Sequence, residues 1–167
     1  GFKILKKAGI EVVCGVCEKE AAQLNAAFFK FAKTKKPYVI VKWAQSKDGF
    51  LARNDSKRWI SNAACRKDVQ KIRRQVQAVL IGMNTVIQDD PMLTVRPDNG
   101  RQPLRVVLGN ASKMPKDCYL FKTAKKWPVY VFNGKNLNAI LVKLGRMNVQ
   151  QLLVEGGEKI ITSFLKN

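Results

Sequence analysis

Leu152-Leu153-Val154-Glu155-Gly156-Gly157-Glu158-Lys159-Ile160-Ile161 is an apolar run that ends in a carboxylate, passes through two glycines and opens at once into helical spacing. The run reads as a buried strand and the spacing after it as a helix. Paired glycines let a backbone approach a ligand closely, because no Cβ stands in the way. A helix start offers unpaired N–H groups and the positive end of the helix dipole, which together suit an anion. Strand, Gly-Gly, helix is therefore a seat for phosphate with Glu155 beside it, or a plain strand-to-helix turn. The motif by itself leaves both readings open.

Working outward, the same alternation recurs. Residues 38–44 form a near-continuous apolar strand, as in a sheet covered on both faces. Ser61 is a good N-cap for a helix whose buried stripe would be Cys65, Val69, Ile72 and Val76. Further strands are expected over 77–82, 104–108, 128–132 and 149–154. Helices are expected over 84–88, over 137–144 with an end at Gly145, and over 158–165. Strands alternating with helices imply an α/β domain with a mostly parallel sheet flanked by helices. No G-x-G-x-x-G fingerprint follows any strand, so the usual Rossmann route to a nucleotide is not supported.

The N-terminal part reads differently. A short amphipathic helix ends at Gly9, a strand covers 11–16, and helical spacing runs over 18–33 through Ala21, Leu24, Ala27, Phe28 and Phe31. Thr34-Lys35-Lys36-Pro37 is polar and ends in proline, as a linker does. Residues 1–33 are too few to bury a core and read as the tail of a neighbouring domain. The main domain is then 38–167.

Composition removes several classes of function. With no histidine among the 167 residues, the Ser-His-Asp triad, the Cys-His dyad and most zinc sites are out of reach. Cys14-Gly-Val-Cys17 has metal or redox spacing, but Cys65 and Cys118 form no second pair, so structural cysteines and no metal are expected. No apolar run approaches the roughly 20 residues of a membrane span. The N-terminus lacks the apolar core of a signal peptide, which makes the cytoplasm the expected location. Lys and Arg number 31 against 12 Asp and Glu, a net charge of +19. The excess calls for an anionic partner, nucleic acid or a phosphorylated small molecule. Its scatter along the chain favours a generally basic surface over a dedicated nucleic-acid arm. An RNA-binding module would show paired aromatics on adjacent strands, and no such pattern is evident.

Three more stretches follow strands. Ala44-Gln45-Ser46-Lys47-Asp48-Gly49 carries a strong turn former, either a simple hairpin or a strand end whose backbone faces a flat ring. Gly82-Met83-Asn84-Thr85 gives close backbone approach with side-chain donors at a helix start. In Asp89-Asp90-Pro91-Met92-Leu93-Thr94-Val95-Arg96 the carboxylates fit ribose hydroxyls and Arg96 fits phosphate through its bidentate fork. Arg73, fourteen residues after Trp59, lies on the preceding helix, where a lone arginine is ordinarily solvated.

In order, KxAxSxDG (42–49), Ser56 with Trp59-Ile60-Ser61, NTVxxDDPxLTVR (84–96), QPLRVVL (102–108) and LLVEGG (152–157) resemble the reductase domain of the bifunctional riboflavin-biosynthesis deaminase–reductases. Residues 8–25 resemble the last strand and helix of the deaminase domain of the same proteins. The resemblance implies a dihydrofolate-reductase-like fold. It also implies NADPH-dependent reduction of 5-amino-6-(5-phosphoribosylamino)uracil, in which a ribosyl group becomes a ribityl group. The nearest alternative is another NADPH reductase of the same fold.

Carried over by motif, Ala44 and Trp59 would meet the cofactor, Thr85 and Asp89 would bind it, and Gly157, Glu158, Lys159, Ile160, Ile161, Thr162 and Ser163 would wrap its diphosphate. Ser56, Arg73, Leu93, Arg96 and Glu155 would hold the phosphorylated pyrimidine, with the arginines near its phosphate. Lys42 would polarise the reacting centre, and Glu155 is counted with it as catalytic. The chain departs from the family pattern in three places. One extra residue separates Ser56 from Trp59, Gly109-Asn110 replaces Asp-Ser, and the deaminase signature H-x-E with P-C-x-x-C is missing, so no deamination is expected of this chain. The family continues past the Gly-Gly helix into strands that complete the sheet and help form a homodimer, which implies a sheet lacking its C-terminal strands here.

Overall fold

Five strands make one all-parallel sheet in the spatial order β1-β5-β2-β3-β4. They are β1 (Tyr38–Val41), β2 (Ala78–Gly82), β3 (Leu104–Leu108), β4 (Val129–Phe132) and β5 (Gln151–Gly156). This is a computed structural model, and it describes residues 1–51, 60–134 and 136–166. Every residue of β2 is buried, as befits a central strand covered on both faces.

Helices cover both faces. Ahead of the sheet lie α1 (Phe2–Lys7), α2 (Glu18–Leu24) and α3 (Ala26–Thr34). Between strands come α4 (Ala63–Gln75), α5 (Met83–Asp89), α6 (Tyr119–Lys122) and α7 (Leu137–Arg146), and α8 (Glu158–Leu165) follows β5. On one face Val79, Ile81, Val107 and Leu153 pack with Ile72 and Val76 at the end of α4, Met83 and Val86 of α5, Leu93 and Leu120. On the other, Leu80, Val106, Leu152 and Val154 pack with Ile140 and Leu144 of α7 and with Ile160 and Phe164 of α8. The period-2 alternation of each strand sorts its side chains between these two cores.

The α/β alternation holds, and the differences from expectation have local causes. Residues 11–16 form no strand; Val13 and Val16 are both 71% exposed, and a strand without a neighbour leaves its backbone groups unpaired. The expected helix over 18–33 is broken at Asn25, whose side chain donates to Ala21 O at 2.8 Å and turns the chain between α2 and α3. The N-cap of α4 is Asn62, not Ser61: its Oδ1 accepts from Cys65 N at 2.9 Å. Cys65 is exposed, because the buried side of α4 begins a turn later. Cys14 and Cys17 are exposed too, so of the four cysteines only Cys118 packs, capping α6 by accepting from Phe121 N.

Gly145 does not end α7, which runs on to Arg146. A Cβ there would stand 1.9 Å from the Lys35 carbonyl oxygen, so this glycine serves a close crossing of two backbones. Segment 34–37 therefore lies along α7, and Lys36 Nζ donates to Asn138 Oδ1 at 2.6 Å.

Candidate functional site

The C-terminal ends of the strands open onto a cleft of about 1180 Å³. Open α/β sheets place ligands at this edge, where the strand order reverses. Here the reversal is at β5 and β2, because the chain returns from β4 to insert β5 between β1 and β2. The volume is at the upper end of the roughly 300–1,000 Å³ of ordinary small-ligand pockets.

The floor is mostly backbone. Gly82, Gly109, Gly156 and Gly157 all line it. A Cβ on Gly157 would come within 3.2 Å of Thr85 Oγ1, and one on Gly82 within 2.9 Å of Ile160 Cγ1. The chain thus passes from β5 into α8 pressed against the start of α5. The Gly156–Gly157 peptide bond is cis. Among the described residues no side chain caps α8; the Gly157 carbonyl accepts from Ile160 and Ile161, and the residues of this first turn line the cleft.

Glu155 is aimed by an irregularity in β5. The register with β2 jumps from Leu80↔Val154 to Ile81↔Gly156 and leaves Glu155 without a partner on that side. Such a bulge re-aims a side chain beside a site. The Glu155 carboxylate meets the Arg73 guanidinium in a two-pronged ion pair, Nε to Oε1 and Nη2 to Oε2, both 2.6 Å. The two side chains are 12% and 11% exposed. Arg73, expected as a solvated helix arginine, is instead engaged on three sides, since its Nη1 also donates to Thr94 O at 3.0 Å.

The cleft brings together most of the expected cofactor set: Ala44, Thr85, Asp89 and Gly157 through Thr162 all line it. Ser163 does not; its hydroxyl donates to Lys159 O at 2.7 Å on the exposed side of α8. Ser56 and Trp59 lie outside the described residues. Of the expected substrate residues that are described, only Glu155 lines the cleft. Leu93 is in the left-handed region at φ 57° and 1% exposed, its side chain in the core. Arg96 has an exposed side chain, with its backbone N–H held by Gln70 Oε1 at 2.9 Å. Lys42 is half-buried just past β1, its N–H donating to Val154 O at 2.9 Å, and the wall at this point is formed by its neighbours Trp43 and Ala44.

Sequence reasoning passed over Trp43, Phe50 and Lys113, which also line the cleft. The only available signal was position, two residues past β1 for Trp43 and a turn past β3 for Lys113. Among the described residues, Tyr38 on β1 and Tyr130 on β4 occupy opposite edges of the sheet. Among the described residues no helix is long and apolar enough to cross a membrane.

Comparison with known proteins agrees with this architecture. Residues 37–167 match the RibD C-terminal domain. The riboflavin biosynthesis protein RibD of Aquifex aeolicus (strain VF5) is 39% identical over 188 aligned residues, taking in 99% of this chain and 53% of that protein. RibD of Actinobacillus pleuropneumoniae is 34% identical over 100% of this chain and 52% of its own length. A Thermotoga maritima crystal structure, described as a diaminohydroxyphosphoribosylaminopyrimidine deaminase/5-amino-6-(5-phosphoribosylamino)uracil reductase, superposes with a TM-score of 0.87 at 32% identity, over 99% of this chain and 52% of that one. The chain spans about half the length of the relatives it matches. A five-stranded parallel sheet with its glycine-floored cleft, the motifs read from the sequence and these likenesses agree: the chain belongs to the RibD C-terminal domain family.

Proposed function

We propose that this domain carries out the NADPH-dependent reduction of 5-amino-6-(5-phosphoribosylamino)uracil to its ribitylamino product, a step of riboflavin biosynthesis. One observation carries the reading. Ala44, Thr85, Asp89 and the uncapped start of α8, which lie far apart in sequence, line a single glycine-floored cleft at the switch point of the sheet.

The cleft suits a dinucleotide on its own terms. The Gly157–Thr85 approach leaves little space for a side chain between α5 and α8, and the first turn of α8 offers backbone N–H groups and the positive dipole end to a diphosphate. Asp89 fits ribose hydroxyls, and Ala44 leaves the end of β1 open to a flat ring. NADPH, when bound, supplies a hydride for the sugar C1′ of the ring-opened imine, whose nitrogen takes up a proton. The task of the protein is positioning and electrostatics. Glu155, which lines the cleft, meets the substrate. Arg96 for its phosphate and Lys42 for the reacting centre are roles carried over from the family resemblance, since neither lines the cleft.

The test is fluorescence titration of the full-length protein with NADPH and NADH, followed by turnover of the pyrimidine substrate by Arg96→Ala and Glu155→Ala variants. Tighter binding of NADPH than of NADH is expected, with kcat/KM lowered by about 100-fold or more in each variant. A full-length protein that binds neither nucleotide would overturn the proposal.

A further inference from the structure

Side chains hold the loop between α5 and β3 at successive backbone positions. Arg73 Nη1 donates to Thr94 O at 3.0 Å, Gln70 Oε1 accepts from Arg96 N at 2.9 Å, and Arg74 Nη2 donates to Pro97 O at 3.2 Å. Val95, among them, is 0% exposed and belongs to no strand, so its backbone groups need partners from elsewhere. Gln102 supplies both. Its Oε1 accepts from Val95 N at 2.7 Å and its Nε2 donates to Val95 O at 3.3 Å, as a paired strand residue would.

The same amide also reaches a carboxylate. Gln102 Nε2 donates to Asp98 Oδ1 at 2.8 Å, and Lys126 Nζ donates to Asp98 Oδ2 at 3.0 Å. Asp98 is the carboxylate nearest to Arg96 in sequence, and both of its oxygens are engaged by other residues. Arg96 itself is exposed, and among the described residues its side chain has no hydrogen-bond or ion-pair partner. A fixed backbone that carries an unpaired arginine is preorganised for an anion, because only the one side chain remains to be ordered when the anion binds. The loop borders the cleft through Arg73, which bonds both Thr94 O and the cleft-lining Glu155.

We infer that Gln102, with Gln70, is a positioning residue: the two fix the Val95–Arg96 backbone, and Gln102 holds Asp98, so that Arg96 is presented unpaired to the phosphate of the substrate. The inference rests on the reductase reading for that substrate and on the role of Arg96 at its phosphate. Neither glutamine has to touch the substrate. Each acts through hydrogen bonds to the chain, which an apolar side chain of the same length cannot make.

The experiment uses the full-length protein with Gln102→Met and Gln70→Met, each alone and combined with Arg96→Ala. Methionine keeps the length and adds no charge, so a loss reports the missing hydrogen bonds and not a new field. Turnover is measured on the phosphorylated substrate and on its dephosphorylated counterpart, and binding of ribose 5-phosphate, which needs no turnover, by calorimetry. Gln102→Met is expected to lower the ratio of kcat/KM on the phosphorylated to that on the dephosphorylated substrate by about tenfold, through KM. Gln70→Met removes one bond at an exposed position and lowers the ratio by about threefold. In the Arg96→Ala background each change costs less than about twofold further. Ribose 5-phosphate binding weakens in the same order. The inference is overturned by equal losses on the two substrates, by effects that multiply with Arg96→Ala, or by a wild-type ratio in Arg96→Ala or Gln70→Met. If Gln102→Met does not fold, the Gln70→Met cycle decides. A wild-type protein that reduces neither substrate would instead sink the reductase reading, while ribose 5-phosphate binding would still decide whether the glutamines present Arg96 to a phosphate.

Discussion

Two arginines, Arg73 half-buried and Arg105 buried, grip the same loop and do different work. Arg73, on α4, faces a carboxylate and the cleft, and one of its donors takes Thr94 O. Arg105, near the start of β3, is 0% exposed and has no carboxylate among its hydrogen-bond partners in the described residues. Nη1 donates to Met92 O and, at 2.8 Å, to Thr123 Oγ1, and Nη2 donates to Trp127 O. The guanidinium lies 5.8 Å from the Trp127 ring centroid, and among the described residues Nε finds no partner. Burial pushes its pKa down to about 10, partly countered by Cys118, so it is a cation at neutral pH held by neutral dipoles. An arginine aimed at a charge can orient a functional group. An arginine aimed only at carbonyls and a hydroxyl ties chain segments together. Here the two kinds sit two carbonyls apart.

The largest effect is expected where no charge shares the load. Arg105→Met removes the buried cation but leaves Met92 O, Trp127 O and Thr123 Oγ1 without their donor, at about 1–3 kcal/mol for each buried acceptor left unsatisfied. Relief of the desolvation cost offsets part of this, and a net loss of about 3–5 kcal/mol in urea unfolding is expected. The folded-state value of about 10 lies below the ordinary arginine value, so the unfolded chain binds the proton more tightly and wild-type stability rises with pH only above about pH 10. From about pH 6 to 9 the difference between variant and wild type should therefore be flat. A variant as stable as wild type would show that the loop does not depend on Arg105, and the contrast with Arg73 would fail.

The pairing of these arginines with one loop marks the limit of what the sequence conveyed. The β2, β3 and β5 strands were legible because central strands of a parallel sheet are apolar throughout, and α8 because it opens directly from Gly157. The cleft residues at strand ends were legible for the same reason: in this kind of sheet, position after a strand is position at the site. Arg73–Glu155 spans 82 residues and depends on a one-residue bulge, and no local pattern encodes a bulge. Gly145 read as a helix stop because a glycine near a helix end ordinarily is one. Its partner, Lys35 O, is a long-range neighbour that only the fold reveals. Strand pattern also failed at residues 11–16, where alternation had no sheet to join.

Thr123→Val probes the Arg105 cluster more finely. The hydroxyl accepts from Arg105 Nη1 at 2.8 Å and donates to Tyr119 O at 2.5 Å, and valine keeps the shape while losing both bonds. A loss of about 1–3 kcal/mol in urea unfolding is expected, smaller than for Arg105→Met, because one of three acceptors is removed and the cation keeps the others. NADPH affinity should stay at its wild-type value. An equal loss in the two variants would mean that Thr123 alone anchors the cluster.

Asn62→Ala has the smallest expected effect and separates stability from positioning. Asn62 caps the helix that carries Arg73, and removing its bond to Cys65 N, 2.9 Å in the wild type, should cost about 1 kcal/mol. The cap lies eleven residues before Arg73, on the exposed first turn of α4, while the end that holds Arg73 is fixed by Ile72 and Val76 in the core. Fraying at the cap should therefore leave the Arg73–Glu155 fork intact, and kcat/KM should match wild type even as the urea midpoint falls. If Asn62→Ala instead lowered turnover as far as Glu155→Ala, loosening at the cap would reach the far end of α4, and the Arg73–Glu155 fork would depend on the whole helix rather than on its core-packed end.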